Sequence, residues 1–143
     1  MLKNKVFLTS TDTTIGFISQ NSDRLNEIKQ RSNKKKFIKA LDSLDTLKVF
    51  TRVQSAHKKM LRRAKKTTFI IKDTSYRVVD DAHHLLLLSR LKWAYTTSAN
   101  QSGKAYDEDF AKENADVIIY PLKEGKSTSA IYKLGKNNIK KIR

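Results

Sequence analysis

Apolar residues in this chain come in short clusters parted by polar stretches, and the clusters alternate between strand-like runs and helix-like spacing. Residues 6–8 form a compact apolar run that reads as a buried strand. Residues 16–18 read as a second one, with a hydroxyl-rich turn over 9–14 between them. Asn21, Ser22 and Asp23 offer capping and first-turn groups to a helix on which Leu25 and Ile28 share a face, ending near 29–31. Residues 37–41 predict a strand, and 44–50 another strand or irregular chain. A helix is expected over 55–63, with Ala56, Met60 and Leu61 on its apolar side. The β-branched and aromatic run 67–71 predicts a strand with an antiparallel neighbour at 76–79. Asp80 and Asp81 open a leucine-rich helix reaching Leu91, and 94–98 return as a strand. A short helix over 107–113, a strand over 117–120 ended by Pro121, and a hairpin of 129–132 with 139–142 complete the pattern. There is neither repeat nor linker. The expectation is a single α/β (α+β) domain over 1–143, a twisted mixed sheet with helices packed outside and a basic concave face.

Charge changes that picture most. Thirty Lys and Arg stand against fourteen Asp and Glu, a net +16. Such an excess predicts a polyanion partner, either nucleotide phosphates or a nucleic acid such as tRNA or double-stranded RNA, although the sequence does not show where it binds. No apolar run approaches the roughly 20 residues of a membrane helix, and no basic amphipathic helix with a rich apolar face stands out. The first five residues hold no signal-peptide core, and there is no cysteine for a disulfide or thiolate site. A cytoplasmic protein with no membrane association is expected.

Several standard sites are absent. There is no phosphate-binding G-x-x-x-x-G-K-[ST] and no G-x-G-x-x-G; the four glycines are Gly16, Gly103, Gly125 and Gly135. His57, His83 and His84 lack metal-ligand spacing and read as structural, with one of the adjacent pair facing solvent. Trp93 reads as core. What remains is a stretch from Ala94 to Gly103 in which a strand runs into small hydroxyl residues, an asparagine and a glycine, and where Ser98 and Asn100 hydrogen-bond without bulk. By composition it is an ordinary polar loop or a ligand-binding one. Lys29 and Arg31 end their helix two residues apart, either as a basic helix terminus or as two cations turned on one anion. Hydroxyls, amides and cations orient a substrate and stabilise developing negative charge, which suits phosphoryl or nucleotidyl transfer.

The stretch 97–103, Thr-Ser-Ala-Asn-Gln-Ser-Gly, resembles the TSAN-x-SG signature of the YrdC-like family, which contains the threonylcarbamoyl-AMP synthases of tRNA modification. In the expected order, 10–17 resemble its PTDTVYGL segment, 29–31 its K-x-R motif, 76–78 its arginine-bearing strand and 128–130 its PST-type segment. The resemblance implies ATP, L-threonine and bicarbonate as substrates and nucleotide-bound Mg2+ as cofactor. Threonylcarbamoyl-AMP and pyrophosphate would be the products, serving N6-threonylcarbamoyladenosine formation in tRNA. It implies Lys29 and Arg31 as the catalytic cations. It implies Ser98, Asn100, Ser129 and Arg143 as nucleotide contacts, and Thr13, Thr68 and Arg77 as the threonine and bicarbonate pocket. Other tRNA-modification proteins are possible partners.

The chain departs from the family pattern at several points. Ser10 replaces the proline before TDT, Ile15 its tyrosine, Ser32 and Phe37 later prolines, Ala64-Lys65-Lys66 a PGP turn, and Lys133 an aspartate. The chain is also short for the family, without the helix before the first strand. Ile15 in place of tyrosine is expected to remove a substrate contact. Three functions follow: the synthase, a non-catalytic RNA-binding module on the same fold, or a related carbamoyl transfer to another acceptor. If Lys29 and Arg31 only serve phosphates, replacing either should hardly change stability.

Overall fold

The computed structural model describes residues 2–30, 37–123 and 129–143. A 3-10 turn at Leu2–Asn4 leads into β1 (Phe7–Ser10), β2 (Ile15–Ser19), α1 (Ser22–Lys29) and β3 (Ile38–Leu41). Then come α2 (Leu44–Phe50), a 3-10 turn at Ser55–His57, α3 (Lys58–Arg63), β4 (Thr67–Ile71) and β5 (Thr74–Val78). The chain closes with α4 (Ala82–Leu91), β6 (Trp93–Ser98), α5 (Glu108–Asn114), β7 (Val117–Ile119), β8 (Ala130–Leu134) and β9 (Ile139–Lys141). The strands form one mixed sheet in the order β7-β1-β2-β6-β3-β5-β4-β8-β9. The single mixed domain and the strand hairpins expected from the sequence are all present.

One expectation fails. Residues 44–50 are neither strand nor irregular but helix α2. Ser43 caps it, its Oγ accepting from the Thr46 amide at 3.2 Å, and Leu44 and Leu47 bury their side chains one turn apart. A cap and an i,i+3 apolar pair outweigh the β-propensity of Thr46 and Val49. The other caps follow the sequence: Asn21 accepts from Arg24 N, and Asp81 from His84 N.

Register divides the sheet into two faces. Tyr95, Lys39, Tyr76 and Phe69 lie in one lateral row, and Phe17 pairs with Thr97 two positions along β6. On that face pack α1 and α5, through Leu25 and Ala111 beside Leu8, Ile15 and Phe17. So do α2 and α3, through Leu47 and Leu61 beside Phe69 and Ile71. Trp93 belongs here as expected, edge-on to Phe50 and Tyr95. Lys39 Nζ lies 4.0 Å from the Phe50 ring centre and 4.8 Å from that of Trp93; its burial lowers its pKa. On the opposite face Ile18, Ala40 and Ala94 pack against α4, through Leu87, Leu88 and Leu91, the one helix there among the described residues. That face is therefore only partly covered by helix, and Arg77, directly beside Ala40, belongs to it.

The β1 edge is locked by charge. Asp116, just before β7, accepts from the Val6 amide at 2.8 Å and pairs with Arg24 of α1, and these contacts hold its carboxyl below the ordinary carboxylate range.

Candidate functional site

Three sequence-distant segments meet on the face that carries α4. The turn between β1 and β2 is organised by Thr11, whose Oγ1 donates to Thr14 O at 2.7 Å and accepts from the amides of Thr13 and Thr14. This fixes Asp12 and Thr13. Arg77 reaches them from β5: Nη1 donates to Asp12 Oδ1 and to Thr13 Oγ1, each at 3.3 Å. Its Nη2 donates to Thr68 Oγ1 at 3.2 Å, on the neighbouring strand β4. Thr68 Oγ1 in turn donates to Ser129 Oγ at 3.2 Å. Arg143 closes the series, Nε to Ser129 O at 2.9 Å and Nη2 to Ser129 Oγ at 3.1 Å. Five residues expected at a substrate site thus lie on one hydrogen-bonded chain: Thr13, Thr68, Arg77, Ser129 and Arg143. All but Arg143 are buried.

Among the described residues that chain holds two guanidinium groups and a single counter-charge, Asp12. Arg77 and Asp12 are both sealed, with side chains 6% and 8% exposed. Burial lowers the Arg77 pKa, Asp12 opposes that shift, and Arg143 adds to it. Arg77 Nε has no hydrogen-bond partner among the described residues. A buried guanidinium sharing one carboxylate, with a second guanidinium nearby, suits a further anionic oxygen.

His84 lies behind Arg77. Among the described residues neither of its ring nitrogens finds a hydrogen-bond partner, and burial together with the Arg77 charge lowers its pKa to about 4, so the ring is neutral at pH 7. Between pH 6.5 and about 4 the unfolded chain binds a proton that the folded chain refuses. Stability is therefore full above pH 6.5 and falls through that window, by about 2 kcal/mol at pH 5. His84→Leu should flatten this part of the curve in urea unfolding at pH 7 and pH 5; an unaltered slope would show that the ring is not sealed. Its neighbour His83 is half-exposed, with Nε2 2.8 Å from Thr9 Oγ1.

The second part of the site is the loop after β6. Ala99 N donates to Ile15 O at 2.9 Å, joining the loop to the start of β2. Gly16 allows this approach: a Cβ there would stand 3.0 Å from Thr97 O and 3.3 Å from Thr11 Cγ2. Lys29, only 1% exposed, enters from the end of α1 and donates to Ser98 O (2.9 Å), Asn100 O (2.6 Å) and Asn100 Oδ1 (3.0 Å). Ser98 Oγ also donates to Asn100 Oδ1, at 2.5 Å, and Asn100 Nδ2 donates to Lys104 O at 2.7 Å. Ser102 Oγ returns the contact to Lys29 O at 2.7 Å.

Here the structure corrects a sequence-based expectation. Lys29 is not a solvated cation at a helix end whose loss would leave stability intact; its ammonium group is built into the loop. Arg31 lies outside the described residues.

The sequence reading also assigned no role to Asp12, Thr11 or Ser102. Asp12 had a visible signal, a lone acid inside a hydroxyl-rich turn. Two departures from the family pattern acquire structural meaning. Ile15 is 4% exposed among Leu8, Phe17 and Leu25, so it fills core on the face opposite Arg77 and is no lost substrate contact. Ser10 Oγ lies 2.9 Å from Pro121 O and accepts from the Lys123 amide at 2.6 Å, fastening the chain that leaves β7.

Among the described residues no group of three or more His, Cys, Asp or Glu could hold a metal ion, and no helix is long and apolar enough to cross a membrane. The chain is similar over 96% of its length, at 30% identity, to the Mycoplasma pneumoniae "Uncharacterized protein MG259 homolog", and spans 32% of that protein. P. abyssi Sua5 complexed with L-threonine superposes with a TM-score of 0.75 at 19% identity, over 97% of this chain and 50% of that one. E. coli YciO does so with 0.76 at 18% identity, over 97% and 82%. A family model for Sua5/YciO/YrdC, described as telomere recombination, matches residues 1–143. The chain belongs to the Sua5/YciO/YrdC family.

Proposed function

We propose that this chain is a threonylcarbamoyl-AMP synthase acting in tRNA N6-threonylcarbamoyladenosine formation. The observation that carries the reading is the hydrogen-bonded chain from Asp12 through Arg77 and Thr68 to Ser129 and Arg143. It gathers residues from three distant motifs, together with Thr68 and Arg143, into one place. The Sua5 relative was solved with L-threonine, which fits an Arg77 able to take a carboxylate.

In this reading threonine and bicarbonate condense to a carbamate with loss of water. One carbamate oxygen attacks the α-phosphorus of ATP, and pyrophosphate leaves. Arg77 pairs with the threonine carboxylate, and the hydroxyls of Thr13 and Thr68 border the carbamate. Ser129 and Arg143 take nucleotide oxygens, with Ser98 and Asn100 on the opposite side. Lys29 holds the Ser98–Asn100 loop in shape, and Arg31 keeps the role of a phosphate cation. A magnesium ion bound with the nucleotide would neutralise phosphate charge, and Asp12, already paired with Arg77, would not be free to hold it. The protein supplies position and positive charge, which is most of what this class of transfer requires.

The test is incubation of the pure chain with ATP, magnesium, bicarbonate and threonine. Pyrophosphate release should require both threonine and bicarbonate, with threonylcarbamoyl-AMP as co-product. Asn100→Ala should lower it roughly 10-fold, the worth of an oriented neutral contact. Nucleotide turnover indifferent to threonine would point to carbamoyl transfer toward another acceptor. No turnover at any magnesium concentration would leave an RNA-binding module on the same fold.

A further inference from the structure

A cavity of about 310 Å³ opens on the sheet face opposite Arg77, where the α2–α3 connection, the β4–β5 turn and the β8–β9 turn meet. Its floor is apolar. Val53, Ile71 and Leu134 line it, all three buried and all part of the core that α2 and α3 cover. His57, only 3% exposed, adds its ring to the wall. Its Nε2 lies 2.9 Å from Gly135 O; a carbonyl only accepts, so Nε2 carries the proton. That bond ties the α2–α3 connection to the β8–β9 turn and fixes the cavity's width.

The rim is cationic. Arg52, Lys72 and Lys136 line it, all three exposed. The ion pairs among the described residues use none of them. No Asp or Glu lines the cavity among the described residues; Asp73 follows Lys72 in the turn. Lys72 and Asp73 form the two-residue link between β4 and β5, with φ of 50° and 65°. Such a turn favours asparagine or glycine, so a lysine is held there at a conformational cost. Gln54 adds a neutral amide to the wall.

We propose that this cavity binds a small organic carboxylate with an apolar body. The floor and the rim specify its two ends. The body takes Val53, Ile71 and Leu134 out of water. The carboxylate meets the planar fork of Arg52 and the point charges of Lys72 and Lys136. The volume is at the lower end for small-molecule pockets, which run to roughly 300–1,000 Å³, so it suits one compact acid. An amino acid matches poorly, because its ammonium would stand among three cations. Phosphate matches poorly too, free or in a polymer, since it brings charge but nothing to cover the apolar floor. The cavity is separate from the residues assigned to threonine and nucleotide. β4 carries both Thr68 and Ile71, which alternation places on opposite faces of the sheet.

The experiment is a two-dimensional amide NMR titration of the isotope-labelled chain at matched ionic strength. The probes are naphthoate, octanoate, uncharged naphthamide and inorganic phosphate. Naphthoate and octanoate should shift the amides of Val53, Gln54, Lys72 and Gly135. Naphthamide keeps the apolar body without the charge and should bind about 10-fold more weakly or worse. The variant Arg52→Gln, Lys72→Gln, Lys136→Gln should weaken naphthoate about 10- to 100-fold, from roughly 2- to 5-fold per exposed ion pair. It should leave naphthamide unchanged. Gln54→Trp, which puts an indole into the cavity, should block both acids. Both variants should keep the wild-type thermal transition, and mapping on the wild-type chain decides the matter even where one does not. Absence of shifts with either acid would overturn the proposal. So would shifts confined to Thr13, Thr68 and Ser129, which would place the carboxylate at Arg77. Phosphate or naphthamide bound as tightly as naphthoate would also sink it, since charge alone or apolar contact alone would then suffice. No nucleotide or threonine is present, so the outcome is independent of whether the chain is a synthase.

Discussion

Replacing Lys29 with methionine should lower the unfolding free energy by roughly 3–4 kcal/mol. An orphaned buried polar group costs about 1–3 kcal/mol, and three acceptors are involved here. Ser98 O, Asn100 O and Asn100 Oδ1 all accept from this one ammonium group. Methionine fills the channel of the lysine stem, so packing contributes little to the loss. Ser98 Oγ still donates to Asn100 Oδ1, which spares one acceptor in part. Urea unfolding at pH 7 measures the change. A loss below about 1 kcal/mol would mean that water replaces the ammonium and that Lys29 is no strut. Nucleotide turnover should fall along with stability, because the Ser98–Asn100 loop loses its shape.

Arg77→Met should be at least as costly, about 3–5 kcal/mol, because it leaves the Asp12 carboxylate buried without its counter-charge. A second change, Asp12→Asn, should restore part of that loss, since the amide does not need the guanidinium. The difference between the single and double variants reads the pairing energy. Restored stability should not restore threonine-dependent turnover, because the cation assigned to the substrate carboxylate remains absent. If Asp12→Asn in the Arg77→Met background gains nothing, the pair is not the coupling that holds the β1–β2 turn to β5. Arg77→Lys should fall between, since a point charge cannot span Asp12, Thr13 and Thr68 as a planar fork does.

The sequence announced its elements better than their neighbours. Asn21, Asp81 and the apolar runs 67–71 and 117–120 mark helices and strands by local chemistry, and the structure forms them, the last ending at Ile119. Strand order rests on pairings such as Phe7 with Val117 and Thr68 with Ile131, contacts between residues far apart that no local pattern encodes. The motif residues were legible as a set, yet their grouping was not: Thr13, Thr68 and Ser129 become one chain only because β4 lies between β5 and β8. Lys29 misled because a lysine at a helix end ordinarily snorkels to water. Here the helix stops against the loop after β6, and burial follows from that placement alone.

Strand order also sets a length requirement. β7 stands first in the sheet and β8 eighth, yet only residues 120–129 separate them in sequence. Seven inter-strand steps of about 4.8 Å span roughly 34 Å across a flat sheet. Ten residues reach about 36 Å when drawn straight. A flat sheet would leave this crossing no slack, whereas a twisted and curled one brings its edges nearer along the chord. The crossing is pinned at its start by Ser10 and delivers Ser129 to Thr68 and Arg143 at its far end. Its ten residues therefore limit how far apart β7 and β8 can stand. Removing residues from it would draw on the curvature of the whole sheet, and Arg77 and Thr13 would shift relative to each other although neither lies in the shortened segment.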